Sequence, residues 1–160
     1  MNTNYAGFWM RFGAYVIDYI IIYCAQAFIV VPILGIVGIN FASQAATSGG
    51  DLSEGDIITM ITTLIAAASA VALLVTILQL LYFSLMESSK YQGTVGKMAL
   101  GLIVTDTNGA KLDFVKALIR NLGKIISWFI LCIGFIMAGF TEKKQALHDM
   151  IASTLVVKKP

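Results

Sequence analysis

Charged side chains are scarce in this sequence: 12% of its 160 residues are Asp, Glu, Lys or Arg, against 58% hydrophobic. Soluble domains carry about a quarter charged and about half apolar residues, so an ordinary water-facing surface is not affordable here. Histidine occurs once and proline and cysteine twice each. A single histidine without a spaced carboxylate cluster excludes a metal site of the zinc type. Cys24 and Cys132 lie in apolar runs without a CxxC spacing, and read as small packing residues instead of a redox pair or a disulfide framework. The net charge of +2 is small and its basic residues are interleaved with apolar ones, so no nucleic-acid partner is expected. GTVGK around Gly96 and Lys97 lacks the GxxxxGK[ST] spacing of a phosphate loop. With no nucleophile, base and orienter in view, neither an enzyme nor a cofactor is expected.

Long uncharged runs are what the sequence does have, and its mean hydropathy is +0.84. Crossing a hydrocarbon core takes about 20 apolar residues. A first span is expected over about 12–39, entered through Phe8, Trp9, Phe12 and Tyr15 at the headgroup boundary. It carries Asp18 and runs too far for a cleaved signal, so it reads as retained. Pro32, Gly35 and Gly38 are expected to kink or end it. Residues 40–56 hold three acids and no Lys or Arg, and read as an outside loop. Residues 57–86 are uncharged and form the clearest span, within which Thr62, Ala66 and Ala70 mark a face for close helix packing.

The segment 87–124 carries Lys90, Lys97, Lys111, Lys116, Arg120 and Lys124, which places it and the N-terminus in the cytoplasm by the positive-inside rule. Asn108-Gly109 between LIVTD and KLDF signals a small β-hairpin. From Asp113 the period becomes helical, with Phe114, Leu118 and Leu122 on one face and Lys116, Arg120 and Lys124 largely on another, as in a helix lying in the interface. Residues 125–140 make a third, short membrane segment. A crossing there would put Lys143, Lys144, Lys158 and Lys159 outside, against the charge rule; a return to the cytoplasmic side would let STLVVKK pair with GLIVTD. Both readings stand. The fold class is thus an all-α membrane protein, one domain over 1–160, a small helical bundle with two transmembrane helices, the third short segment, an interfacial amphipathic helix and the hairpin.

Arg11 and Asp18 lie seven residues apart and share a helix face, with Tyr15 and Gln26 near the same stripe. They are separated by a rise of about 10.5 Å, so Arg11 can snorkel to the interface. Asp18 needs a partner such as Arg120, Lys124 or Gln79, or a proton, because a bare carboxylate in lipid costs several kcal/mol. It is either a packing element satisfied by hydrogen bonds or a group that exchanges a proton for a cation. His148 and Asp149 are adjacent and point about 100° apart, so they form no preset dyad. Asp149 is expected to cap its helix or bond a basic group such as Lys97 or Arg120, and His148 is a candidate pH sensor.

Four blocks in order, YAGFWMRFGAYVIDYII, YQGTVGKMALGLIVTDTNG, ALIRNLGKI and QALHDMIASTLVV, resemble the RDD family of bacterial membrane proteins, named for one arginine and two aspartates. Arg11, Asp18 and Asp149 stand at those positions. Val95 departs from the family's usual TPGK, where proline is common. The resemblance covers nearly the whole chain and implies a multi-pass protein of the bacterial cytoplasmic (inner) membrane, in contact with membrane lipid. It also implies the cation/proton antiport proposed for some members, with Na+ and H+ as substrates and Asp18 as the exchange carboxylate. Two or three spans enclose a path only as a homo-oligomer. The alternative is a non-transporting scaffold or assembly partner in which these residues hold elements together.

Overall fold

The first apolar run begins its helix at Phe8 and, in the computed structural model, does not end at the glycines. The described residues are 4–47, 49–50, 53–129 and 133–159. Helix α1 runs Phe8–Thr47 through Pro32. Residues 40–47, expected as loop, are therefore helical. Their hydroxyls bond back into the helix, Ser43 Oγ to the Asn40 carbonyl at 2.8 Å and Thr47 Oγ1 to those of Ser43 and Gln44 at 2.9 Å, so polar composition here does not break the ladder. Gly49 and Gly50 then turn the chain at positive φ. Helix α2, Glu54–Ser88, starts on a capping box: Ser53 Oγ accepts from the Asp56 N–H at 3.2 Å, and Asp56 Oδ2 accepts from the Ser53 N–H at 3.1 Å.

Two compact units divide the chain, Ile22–Leu78 and the combination of Met1–Ile21 with Gln79–Pro160. The first consists of the inner lengths of α1 and α2. The most apolar stretch of each helix is unburied, whereas the core helix of a soluble protein would be covered. Phe28 is 84% exposed and Ile39 71%. Thr62, Ala66 and Ala70 are exposed too, so the expected small-residue packing face is left uncovered among the described residues. Cys24 is likewise exposed instead of packed; Cys132 lies outside the described residues.

The second unit holds the site. Helix α3 (Val95–Ala99) leads into β1 (Leu102–Asp106), and α4 (Phe114–Phe129) follows. Short α5 (Ile133–Ile136), a 3-10 turn (Met137–Gly139), α6 (Leu147–Ile151) and β2 (Thr154–Lys158) complete it. The Asn108-Gly109 turn forms, with Asp106 Oδ1 accepting from the Asn108 and Ala110 N–H groups at 2.8 Å. Its second arm, though, contributes only the bridge Thr105↔Lys111. The real partner of β1 is β2, antiparallel from Leu102↔Lys158 to Asp106↔Thr154, and Tyr5 bridges Val157 on the other edge. Turn chemistry thus specified the reversal, while burial of Val104 against Val156 in the core with Ala6, Ala14, Leu102 and Leu112 specified the pairing.

Helix α4 is capped by Asp113, whose Oδ1 accepts from the Lys116 N–H at 2.6 Å. It has the expected amphipathic period with the opposite polarity to a soluble helix. Ala117, Arg120, Asn121 and Ser127 are buried, and Val115, Ile119, Leu122, Ile125 and Ile126 are exposed. A Cβ on Gly134 would stand 2.7 Å from Ser127 Cβ, so α5 lies against α4. The described parts of 125–140 are therefore not turns of one straight helix.

Candidate functional site

Charges from five elements converge inside the second unit. Helix α1 brings Arg11 and Asp18 on one face, the end of α2 brings Glu87, α3 brings Lys97, the inward face of α4 brings Arg120 and Lys124, and α6 brings Asp149. Asp149 bonds Arg11 Nη1 directly and Arg120 Nε at 2.8 Å. Glu87 Oε1 meets Lys97 Nζ at 2.5 Å, Arg120 Nη1 at 2.6 Å and Lys124 Nζ at 3.8 Å. Arg120, 2% exposed, therefore joins two carboxylates that are themselves fully buried. Asn121 adds donors to Glu87 Oε2 at 3.2 Å and Ser84 Oγ at 3.3 Å, and its Oδ1 accepts from Lys124 Nζ at 2.5 Å. Asp149 also accepts from the Ala146 N–H at 3.1 Å, so it caps its own helix while holding two guanidiniums.

Asp18 stands apart from this network. Thr94 Oγ1 donates to its Oδ2, and the Gly96 N–H donates to its Oδ1 at 2.7 Å. The expected partners Arg120, Lys124 and Gln79 are not bonded to it. Gly96 is required here because a Cβ would lie 2.1 Å from the Ala14 carbonyl oxygen and 2.9 Å from Asp18 Cγ. The carboxylate thus fixes the first turn of α3 to α1. In the same way Gly123 lets α6 approach α4, since a Cβ there would sit 3.2 Å from His148 Cβ.

Burial alone would push the Asp149 carboxyl up, but the Arg120 and Arg11 guanidiniums outweigh it and hold it well below the carboxylate range. Burial pushes Lys124 down to about 7 despite the Glu87 charge, and lowers Lys97 with help from Arg120. His148 is pushed by burial down to about 3, against the pull of Asp149. Its ring is therefore neutral near pH 7, and the 3.5 Å approach of Nε2 to Asp149 Oδ1 is not an ion pair. The imidazole packs on Phe135 at a centroid distance of 5.1 Å and faces Ser127 Oγ at 3.4 Å. A pH sensor in the physiological range does not fit this environment.

A cavity of about 300 Å³ adjoins the network, lined by Arg11, Asp18, Lys97, Arg120, Lys124 and His148 with the rings of Phe8, Phe12, Tyr15, Phe83 and Phe135. Of the residues singled out from sequence, Arg11, Arg120, Lys124, His148 and Asp149 meet in the network and Asp18 and Tyr15 join them at the cavity. Gln26 belongs to the other unit, and Gln79 is half-buried at the start of the α2 portion of this one. Sequence reasoning missed Glu87, Thr94, Gly96 and Asn121. A signal for Glu87 existed: it is the first charge after 30 uncharged residues and the only acid close to the start of the basic segment.

Two long apolar helices with uncovered faces, together with a unit whose amphipathic helix turns Arg120 and Lys124 inward and displays its aliphatic side chains, define an integral membrane protein. The chain belongs to the RDD family, whose model matches residues 5–153. It is 38% identical to the uncharacterized protein YxaI of Bacillus subtilis (strain 168), over 96% of this chain and 97% of that one. It is 31% identical to the uncharacterized membrane protein YteJ of the same organism, over 98% and 83%. Similarity to the uncharacterized protein RP437 of Rickettsia prowazekii (strain Madrid E) is 36% identity over 42% of this chain and 38% of the relative. No solved structure matches the chain.

Proposed function

We propose that this protein is a non-transporting membrane scaffold of the bacterial cytoplasmic membrane, in which Arg11, Asp18 and Asp149 hold interfacial elements onto the ends of the two membrane helices. The observation that carries this reading is the bonding of Asp18. Both of its oxygens are occupied by donors from the α3 turn, so the group best placed to exchange a proton for a cation is committed to holding structure. The four basic side chains on the cavity lining also repel a monovalent cation. In this reading residues 125–140 return to the side they left, which the β1–β2 pairing favours because both strands must share a side.

Cation/proton antiport by an oligomer is the rival, and the specific point in its favour is that Asp18 is the carboxylate on the cavity lining. Reconstituted protein in liposomes, assayed for proton flux driven by Na+ or K+ gradients, separates the two. The scaffold reading expects wild type to match protein-free vesicles. Flux in wild type that disappears in a folded Asp18→Asn variant overturns it.

A further inference from the structure

The cavity and the charge network pose a question that scaffolding alone leaves open. Four basic side chains line the cavity or its wall, Arg11, Lys97, Arg120 and Lys124, and the carboxylates in the cluster are Glu87, Asp149 and Asp18. With all four protonated, and with Asp18 of the adjoining α3 turn counted, positive charges exceed negative ones by one in a desolvated place; burial answers that surplus by loosening the Lys124 proton, whereas such charges are normally paired. Two buried guanidinium nitrogens, Arg11 Nη2 and Arg120 Nη1, have no hydrogen-bond partner among the described residues; Arg120 Nη1 has the Glu87 carboxylate at 2.6 Å, which leaves Arg11 Nη2 as the one with no counter-charge beside it. A buried donor without a partner is destabilising, so an anionic acceptor from outside the chain would relieve both deficits at once.

The cavity walls say what kind of acceptor fits. Phe8, Phe12, Phe83 and Phe135 supply an apolar surface around the basic groups, a poor environment for a free, fully hydrated ion. A volume of about 300 Å³ is at the lower end of small-molecule pockets, enough for a head group and the first carbons of a chain. Phe12 and Ile136 are the lining residues that are themselves exposed, at 49% and 45%. Both are apolar. They neighbour other exposed apolar side chains of the same unit, Trp9 and Ile133, so the mouth opens on a surface that suits lipid.

We propose that this cavity binds the phosphate head of an anionic glycerolipid entering sideways from the bilayer, with Arg11 and Lys124 as its principal phosphate contacts and Phe12 and Ile136 flanking the chain at the mouth. Guanidinium and ammonium donors give phosphate its strongest hydrogen bonds, and a low-dielectric wall strengthens them further. A zwitterionic head brings its own cation into a basic pocket and is disfavoured. Lys124, whose proton is loosened by burial, would be held charged by the bound phosphate.

Native mass spectrometry of the full-length protein in a neutral detergent tests this, with titrations of dioleoyl phosphatidic acid, dioleoyl phosphatidylcholine and inorganic phosphate. The expected result is one phosphatidic acid per chain, bound at least about tenfold more tightly than phosphatidylcholine, since one charged hydrogen bond is worth that factor or more. Inorganic phosphate at the same concentration should not displace it. Lys124→Gln should weaken the binding about tenfold, and Ile136→Trp, which leaves every charge in place and fills the mouth, should weaken it as well. Equal affinity for phosphatidylcholine overturns the proposal, and so does displacement by inorganic phosphate, which would identify a free-anion site. Unchanged binding in both variants, each with a cooperative melting transition, overturns it too.

Discussion

At the scale of single residues, Asp149 carries the greatest consequence. It pairs with the guanidiniums of Arg11 and Arg120, and removing one partner of a buried pair costs about 3–5 kcal/mol because the other charge is stranded. Asp149→Asn should therefore lower the melting midpoint in detergent sharply. The Arg11→Gln, Asp149→Asn double variant should lose less than the sum of its singles, as residues in one network couple. Gly96→Ala should cost about 1–3 kcal/mol by overpacking, measured in the same assay, because its Cβ would meet the Ala14 carbonyl at 2.1 Å. His148 predicts an acid limb. Its folded pKa of about 3 lies below the free value of about 6.5, so between those values the unfolded chain holds the extra proton and stability falls as pH drops. The charges acting on the ring are those of Asp149, Arg120, Lys124 and Lys97. Melting midpoints should decline from pH 6.5 toward pH 4, and His148→Asn should flatten that decline. A basic partner for Asp149 was legible in the sequence, since an acid in a basic neighbourhood must pair. The partners of Asp18 were not, because a backbone N–H and a threonine hydroxyl carry no charge signature.

Among the elements, α4 repays attention for its orientation. Periodicity revealed an amphipathic helix, and the composition of both faces was plain. Which face turned inward was not, because that depends on where Glu87 and Asp149 stand in three dimensions. The same limit applies to β1: Asn108-Gly109 announced a reversal, yet the ladder formed with β2, where Val104 pairs with Val156, 52 positions further on. Aliphatic residues on the outside of α4 should contact acyl chains. Tryptophan placed at Ile119 or Leu122 should be quenched by brominated lipid in reconstituted vesicles, while tryptophan at exposed Lys111 should be quenched by aqueous iodide instead. Equal iodide quenching at all three sites would refute a lipid-facing α4. The helix boundaries of α1 also shifted from expectation, since Ser43 and Thr47 hydroxyls that look loop-forming in sequence satisfy themselves within the helix.

For the molecule as a whole, the membrane character was legible from charge scarcity and run length, and the family from four separated blocks. The course of 125–140 was not, because 16 apolar residues fit either path; the seating of Gly134 on Ser127 and the pairing of β2 with β1 support the returning path proposed above. A reporter fused after Lys159 should be active on the cytoplasmic side, as should one inserted at Asn108, whereas one inserted at Gly49 should report the outside. An external signal from the C-terminal fusion would reject the returning path. The pairing of Arg11 with Asp149 also fixes a timetable. The two residues are 138 positions apart, so at about 5–20 residues per second the arginine exists for about 7–28 s before its counter-ion has been made. Until then that guanidinium stands at the membrane without the carboxylate it pairs with in the finished fold, so the network closes only after nearly the whole chain has been made.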